Sequence, residues 1–105
     1  MIRKTAVALT DQLQQLGLAV GQIVGVEEHV GARAPAYLLT VDLGPQGRHE
    51  ASVARGDYEP DELEGKQIVC ALEGDELFVL AAHSHAWGLV FVRPDREVEP
   101  GSIVV

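Results

Sequence analysis

The sequence is short of cysteine, of aromatic residues and of positive charge, and each shortage excludes a class of structure or partner. Cys70 is the single cysteine among 105 residues, so we expect neither an internal disulfide nor a cysteine zinc cluster, and a reducing cytoplasm fits. Aromatic residues make up 5% of the chain, which leaves few rings for stacking on bases. The formal net charge is −8, so any site for a polyanion has to be local.

Long hydrophobic runs are also lacking. The basic start at residues 1–4 is followed by an apolar run that Thr5, Thr10 and Asp11 interrupt, so we expect neither a signal peptide nor a membrane span. Hydrophobic residues still make up 47% of the sequence. That share is enough for the core of a single domain over residues 1–105.

The hydrophobic pattern predicts a short N-terminal helix and then a run of strands. Leu9, Leu13 and Leu16 recur at helical spacing, and Gly17 ends that pattern. The period then changes to two, which predicts a first strand. One face of this strand is expected to hold Leu18, Val20, Val24 and Val26, and the other Gly21, Gly25 and Glu27.

Two further strands and a helical turn are expected next. The second strand covers residues 36–43, with one apolar face made of Tyr37, Leu39, Val41 and Leu43. Residues 44–47 form a turn, and a more polar third strand covers residues 48–55. Pro60, followed by acids and then by Gly65, predicts one turn of helix between the third and fourth strands.

The remaining residues predict three more strands. Residues 66–73 and 76–82 form a hairpin around the two-residue turn Gly74-Asp75, and residues 87–93 form the last strand, with Trp87, Leu89 and Phe91 on one side. Six short strands at regular spacing predict an all-β fold, a small antiparallel barrel. The expected core includes Val20, Val24, Leu39, Val41, Ile68, Cys70, Val79 and Leu89.

Three segments, in their order and spacing, carry a resemblance to a known family. They are residues 20–44, residues 58–69 with the sequence YEPDELEGKQIV, and residues 93–102 with the sequence RPDREVEPGS. Together they resemble the tRNA-binding OB-fold domain, specifically its CsaA-type branch of export-related chaperones. The resemblance implies a small antiparallel OB-fold barrel with a short N-terminal helix, and it implies binding of tRNA or of unfolded peptide.

One segment departs from the family pattern. Between the fourth and fifth strands the family usually has a longer loop with paired arginines, whereas this chain has the acidic turn Glu73-Gly74-Asp75-Glu76. The family's third strand usually carries two serines, a small residue and a glutamine, and only Ser52 remains of the two hydroxyls here. We therefore expect tRNA or structured RNA to be bound weakly at most.

Candidate contacts with RNA or peptide lie in the turn after the first strand and in the third strand, where they are expected to form a modest basic patch. They are Arg33, Arg48, His49, Ser52 and Arg55. Phosphate contact is one role for the three arginines. The alternative for Arg48 and Arg55 is pairing with the neighbouring acids Glu50 and Asp57, since surface ion pairs are common and weak.

The pair His83 and His85 raises the question of a metal site. The two histidines are two residues apart, so in an extended segment both rings point to one face, a spacing that can chelate zinc or nickel. The alternative is a polar turn between strands. The sequence places no third ligand nearby, so we expect no metal and no cofactor. No nucleophile and base stand out, and there is no glycine-rich phosphate loop, so we do not expect an enzyme.

Three interpretations of function remain open. The first is a module that binds tRNA or structured RNA, and the second is a chaperone-like module that binds unfolded peptide or a protein partner. The third is a degenerate family member with a role in assembly or regulation. The resemblance, together with apolar residues at 6–9 and 103–105, also predicts a homodimer.

Overall fold

The computed structural model describes residues 15–105 of the chain, so the expected helix around Leu9 and Leu13 lies outside the described residues. The elements in chain order are β1 (Leu18–Glu28), β2 (Ala36–Asp42), a 3-10 turn (Gly44–Gln46), β3 (Arg48–Ala54), α1 (Pro60–Leu63), β4 (Gln67–Glu73), β5 (Glu76–Val79), β6 (Ala81–Ser84) and β7 (Gly88–Phe91). No helix within this part of the chain has the length and apolar character needed to cross a membrane.

The first five strands form one antiparallel sheet in the order β3-β2-β1-β4-β5. The sheet curls until β3 and β5 lie side by side, which nearly closes a barrel. β6 and β7 pair only with each other, as a separate hairpin. The expected all-β, OB-like barrel is confirmed.

β2 supplies the centre of the core, as its alternating pattern predicts. Tyr37, Leu39, Val41 and Leu43 are all buried, and fully burying one such side chain contributes about 1.5–3 kcal/mol. The Tyr37 hydroxyl donates a 2.7 Å hydrogen bond to the carbonyl of Tyr58, so the buried ring keeps a polar partner. The core also includes the fully buried side chains of Ile23, Leu63, Ile68 and Cys70.

The interior face of β1 differs from the expected one. Gly21 faces the core, where a Cβ atom would collide with the side chain of Val41, and Ile23 is completely buried. A bulge at Val24 then shifts the alternation, so that Val26 packs against the core and Val24 is half-buried. The expected core position of Val24 is wrong, because the alternation through Gly21 and Ile23 turns Val24 outward. The bulge then brings Val26 back to the core side.

The structure has seven strands in residues 15–105 where six were expected. The strand predicted over residues 76–82 divides at Leu80, whose N–H donates to the Val69 carbonyl of β4 before the chain leaves β4 to pair with β7. Leu89 of β7 is 42% exposed and Trp87, just before it, is 68% exposed, whereas Phe91 is buried. The expected core position of Leu89 is wrong, because the β6–β7 hairpin extends past the barrel.

The helical turn α1 leads directly into β4. Pro60 is its first residue, and the N–H of Glu59 donates to the carboxylate of Glu62 over 2.8 Å, one half of a capping box. Leu63 is fully buried and anchors the turn on the barrel. Gly65 follows at φ +82°, a conformation that favours glycine, and this fixes where the next residues begin β4.

Candidate nucleic-acid interface

OB-fold barrels usually bind oligonucleotides on the face formed by their second and third strands and on two loops beside it. Here those loops are residues 29–35, between β1 and β2, and Gly74-Asp75, between β4 and β5. Arg33 lies in the first loop, and the other candidate contact residues lie on or just after β3.

The structure divides the candidate residues between the two ends of β3. Ser52 and Arg55 lie near the first loop, whereas Arg48 and His49 lie where the 3-10 turn enters β3. A strand rises about 3.3 Å per residue, so Arg48 and Arg55 are separated by roughly 23 Å along the chain. The five candidates therefore do not form one patch.

The end of β3 near the first loop combines a hydrogen bond with a cation. His29 Nδ1 and Ser52 Oγ lie 2.7 Å apart in a hydrogen bond. The Arg55 guanidinium lies 5.7 Å from the centroid of the Tyr37 ring, within the range of a cation–π contact. Glu28, His29 and Arg55 line a cavity of ≈ 240 Å³, so a small ligand group can reach both the imidazole and the guanidinium.

The opposite end of β3 is occupied by local contacts. Arg48 is exposed and lies across from Asp42 of β2. His49 Nε2 is hydrogen-bonded to the carbonyl of Gln46 at 2.9 Å. This imidazole supports the 3-10 turn.

The proposed pairings of the arginines with their sequence neighbours are wrong. Within residues 15–105 a single ion pair lies below 4 Å, and it joins Arg55 to Glu28 at 3.9 Å. Arg48 does not reach Glu50 in this way, nor does Arg55 reach Asp57. Both Arg55 and Glu28 are substantially exposed, so this pair contributes little to stability.

Acidic side chains line the space between β3 and the β4–β5 hairpin. We call this space, whose volume is ≈ 640 Å³, the acidic cavity; its carboxylates come from Glu50, Glu73, Asp75 and Glu76. Gly74 has φ +63°, as the first central residue of a type II′ hairpin turn requires. Glu73 and Glu76 are direct cross-strand neighbours, so like charges gather where the second loop meets the β3 face.

Sequence reasoning missed a second group of charges. Lys66, Arg93 and Arg96 line one cavity of ≈ 230 Å³, which we call the basic cavity. None of the three forms an ion pair within 4 Å with an acid of residues 15–105. Lys66 is distant in sequence from the two arginines. The one sequence feature that could have linked them is that they lie in residues 58–69 and 93–102, two of the segments that resemble the family.

A buried amide fixes the wall of the basic cavity. Gln67 is buried, and its side chain donates to the Val98 carbonyl over 2.6 Å and accepts from the Val98 N–H over 3.0 Å. It also donates to the side-chain oxygen of Gln22 over 3.1 Å. These bonds tie residues 93–98 to the start of β4.

The two candidate metal-binding histidines lie on different kinds of backbone. His83 is an exposed residue of β6, and His85 lies in the turn after it. The Ser84 hydroxyl accepts the N–H groups of Ala86 and Trp87 at 3.2 Å each, which closes this turn. Across residues 15–105 no three His, Cys, Asp or Glu side chains converge in an arrangement that could hold a metal ion.

Cys70 lies in the middle of β4 and is buried. Burial raises the pKa of its thiol to about 11, and the thiol donates to the Ala19 carbonyl over 3.5 Å. The nucleophilic form of cysteine is the thiolate. Cys70 therefore functions as a small core residue.

The structure matches solved CsaA chaperone proteins over most of its length. The CsaA protein of Picrophilus torridus aligns with a TM-score of 0.83 and 26% identity, covering 91% of this chain and 97% of that one. The CsaA protein of Bacillus anthracis aligns with a TM-score of 0.79 and 28% identity, covering 91% and 96%. The resemblance to the CsaA-type branch is confirmed. No protein-family model matches the chain.

Curated relatives of this CsaA-like chain are methionine–tRNA ligases. The enzyme of Methanococcus vannielii is 34% identical over 99 residues, which cover 84% of this chain and 14% of the enzyme. The enzyme of Archaeoglobus fulgidus is 29% identical over 112 residues, which cover 99% of this chain and 17% of the enzyme. The chain thus corresponds to a small part of these relatives.

Proposed function

We propose that the chain is a non-catalytic module that binds tRNA or structured RNA weakly, acting as a single domain in the cytoplasm. The observation that carries this proposal is the similarity of 99% of the chain to part of a methionine–tRNA ligase. The OB-like surface supports it, because Arg33 lies in the first loop and Arg55 lines one cavity with His29, which is hydrogen-bonded to Ser52. We assign phosphate contact to these two arginines and a polar contact to Ser52.

Weak binding follows from the acidic cavity on the same surface, which Ser52 also lines. This cavity lies between β3 and the second loop, and its carboxylates repel a phosphate backbone at short range. We expect affinities in the non-specific range of about 10⁻⁴–10⁻⁶ M at physiological salt.

Anisotropy of fluorescein-labelled bulk tRNA, titrated with protein at two salt concentrations, tests this function. The wild type should bind with an affinity that falls as salt rises, because phosphate contacts release counterions. Arg33→Gln and Arg55→Gln should each weaken binding and flatten the salt dependence. Arg48→Gln is the matched control, with the same charge change at the far end of β3. Absence of saturable binding by the wild type would overturn the proposal.

A second candidate function is a chaperone-like homodimer, and one apolar edge favours the dimer. The Val104 N–H donates to the Leu18 carbonyl over 3.0 Å, so the C-terminal residues lie beside the start of β1. Leu16, Ile103 and Val105 are 61%, 68% and 73% exposed there. We propose that a second copy covers this edge, since a self-complementary patch is the commonest route to a pair.

Sedimentation velocity at tens of micromolar tests the dimer. The wild type should sediment as a dimer and Ile103→Asp as a monomer. Val30→Asp is the control, because Val30 is 93% exposed in the first loop. A monomeric wild type would refute the dimer.

Peptide binding has its own candidate surface on the β6–β7 hairpin. Trp87 and Leu89, with Tyr58, line a cavity of ≈ 310 Å³, within the size range of small-ligand pockets. Anisotropy of a labelled unfolded peptide should rise with the wild type and less with Leu89→Ser. If neither peptide nor tRNA binds, the chaperone-like and RNA-binding functions both fail, and a role in assembly or regulation remains.

A further inference from the structure

We propose that the basic cavity binds one phosphate group of an RNA backbone, at a site separate from the β3 face. This inference rests on the proposed function for the source of the phosphate. Its own support is the group of cations at Lys66, Arg93 and Arg96, none of which belongs to the surface that OB folds usually present to nucleic acid.

The local charge of the cavity is opposite to that of the chain as a whole. The formal net charge of the protein is −8, yet three cationic side chains line this cavity beside two acids, Asp95 and Glu97. Because the three cations form no ion pair within 4 Å in the described part of the chain, their donors are available to a ligand. Electrostatic attraction at contact distance outweighs the screened repulsion of remote acids.

The backbone that carries these cations is fixed on both sides. The N–H of Lys66 donates to the Leu63 carbonyl over 3.0 Å, and the N–H of Val69 donates to the Val92 carbonyl over 2.8 Å. The hydrogen bonds between the Gln67 side chain and the Val98 backbone hold the far side. The backbone of the cavity wall is therefore preorganised, which lowers the entropy cost of assembling the three cations around a ligand.

The donor set suits phosphate better than carboxylate. A guanidinium has five N–H donors in a planar fork and an ammonium has three, so two arginines and one lysine offer more donors than the two oxygens of a carboxylate can accept. Phosphate offers more oxygens and pairs with arginine bidentately.

The size of the positive region limits the ligand to one phosphate group. Lys66 and Arg93 also line the adjoining cavity of ≈ 460 Å³, but Asp61 and Glu62 line it too. These acids bound the positive region on that side. A long stretch of backbone would have to pass them, whereas a single phosphate does not.

The first experiment uses inorganic phosphate as the probe. In ¹H–¹⁵N spectra, the amide signals of Lys66, Gln67 and residues 95–98 should shift and saturate as phosphate is added, with chloride at equal ionic strength as the control. The shifts should disappear in Arg93→Gln/Arg96→Gln and remain in Arg48→Gln. If the shifts do not saturate, or spread over the surface equally in all three proteins, the site does not exist.

The second experiment uses labelled tRNA. Arg93→Gln/Arg96→Gln should bind about tenfold more weakly than wild type, and its salt slope should be smaller by roughly 0.7–0.9 for each phosphate that the variant no longer neutralises. Glu97→Gln should bind more tightly, because it removes an acid from the cavity wall. Far-UV circular dichroism should show that all these variants fold, since the replaced side chains are exposed.

The two experiments separate failure of this inference from failure of the proposed function. If tRNA binds to the double variant as well as to Arg48→Gln, this inference is wrong and the proposed function stands. If the wild type does not bind tRNA but phosphate shifts saturate at the cavity, the proposed function is wrong. RNA is then not the source of the phosphate, and free phosphate is the ligand.

Discussion

The two ends of β4 carry opposite charge. The strand begins at Gln67 in the wall of the basic cavity and ends at Glu73 in the acidic cavity, roughly 20 Å away at the usual rise of a strand. Net charge alone describes neither end. A strongly acidic protein can therefore keep a local site for an anion, provided that its acids gather elsewhere.

The two cavities also differ in how they are assembled. Three of the four carboxylates in the acidic cavity come from one tight hairpin, so a contiguous stretch of sequence builds most of it. The cations of the basic cavity come from Lys66, just before β4, and from residues 93–96. The Gln67–Val98 and Val69–Val92 hydrogen bonds hold these distant segments together. The basic cavity therefore depends on tertiary structure, and the acidic cavity depends on a turn.

The largest expected effect comes from breaking the basic cavity at its wall. Gln67→Leu leaves the N–H and the carbonyl of Val98 without their partner, and each unsatisfied buried group costs about 1–3 kcal/mol. Unfolding by urea, followed by circular dichroism, should show a loss of stability of about 2–4 kcal/mol. The control Gln46→Leu, in an exposed turn, should change stability by less than about 0.5 kcal/mol. An unchanged urea midpoint for Gln67→Leu would show that the Gln67–Val98 hydrogen bonds do not stabilise the basic end of β4.

A large effect is also expected at Cys70, between the two cavities. Burial raises the pKa of its thiol to about 11 from an ordinary value of 9.0, so at pH 8 the thiolate fraction should be about a hundredfold lower than in the unfolded chain. Labelling by a disulfide reagent should be correspondingly slow until denaturant is added. Rapid labelling of the folded protein would mean that β4 opens readily.

The same pKa shift predicts a pH dependence of stability. Because the folded state keeps the thiol proton above pH 9 while the unfolded state loses it, this contribution is complete below about pH 9 and is lost as pH rises toward about 11. Cys70→Ser lacks this contribution, so its stability should fall less over that range. Parallel curves for the two proteins in urea unfolding would contradict the burial of Cys70.

The sequence predicted the features that depend on residues close together in the chain, and it did not predict those that depend on contacts between distant residues. The core face of β2, the helical turn at Pro60 and the acidic hairpin each follow from neighbouring residues, and the structure confirms them. The bulge at Val24 and the exposure of Leu89 depend on how distant strands pair. Periodicity within one strand does not contain that information.

The prediction of the candidate site from sequence was limited for the same reason, because it too depends on contacts between distant residues. Sequence reasoning placed Arg48 and Arg55 in one basic patch because both belong to the predicted third strand, but the length of that strand separates them. It missed Lys66 and Arg93 as neighbours because the chain between them forms four strands before returning.

A moderate effect is expected from neutralising the acidic turn. The triple variant Glu73→Gln/Asp75→Asn/Glu76→Gln should bind tRNA several-fold more tightly at low salt, and the gain should shrink at high salt as the charges are screened. The control removes three acids from exposed positions outside the acidic and basic cavities (Asp57→Asn/Glu64→Gln/Glu99→Gln). An equal gain in the control would show that net charge alone matters. Tight binding by the wild type, unchanged in the triple variant, would show that RNA is held away from this turn.

The smallest expected effect is on the stability of the same hairpin. Glu73 and Glu76 lie directly opposite each other, and like charges in that position are destabilising. Glu76→Gln should therefore stabilise the protein by about 0.2–1 kcal/mol, which corresponds to a rise in Tm of a few degrees, roughly 4–8 °C per kcal/mol. Glu99→Gln, an exposed acid outside the hairpin, is the control and should leave Tm unchanged. A lower Tm for Glu76→Gln would mean that its carboxylate has a favourable partner.

The exposed hairpin has a consequence for spectroscopy. Trp87 is the single tryptophan of the protein and sits in the turn between β6 and β7, outside the barrel. Its indole is already solvated in the native state, so its emission should change little when the barrel unfolds. A denaturation curve recorded at tryptophan wavelengths would therefore show little of the unfolding of the barrel. The near-ultraviolet circular dichroism of Tyr37, which is 1% exposed, is the optical signal that follows the core.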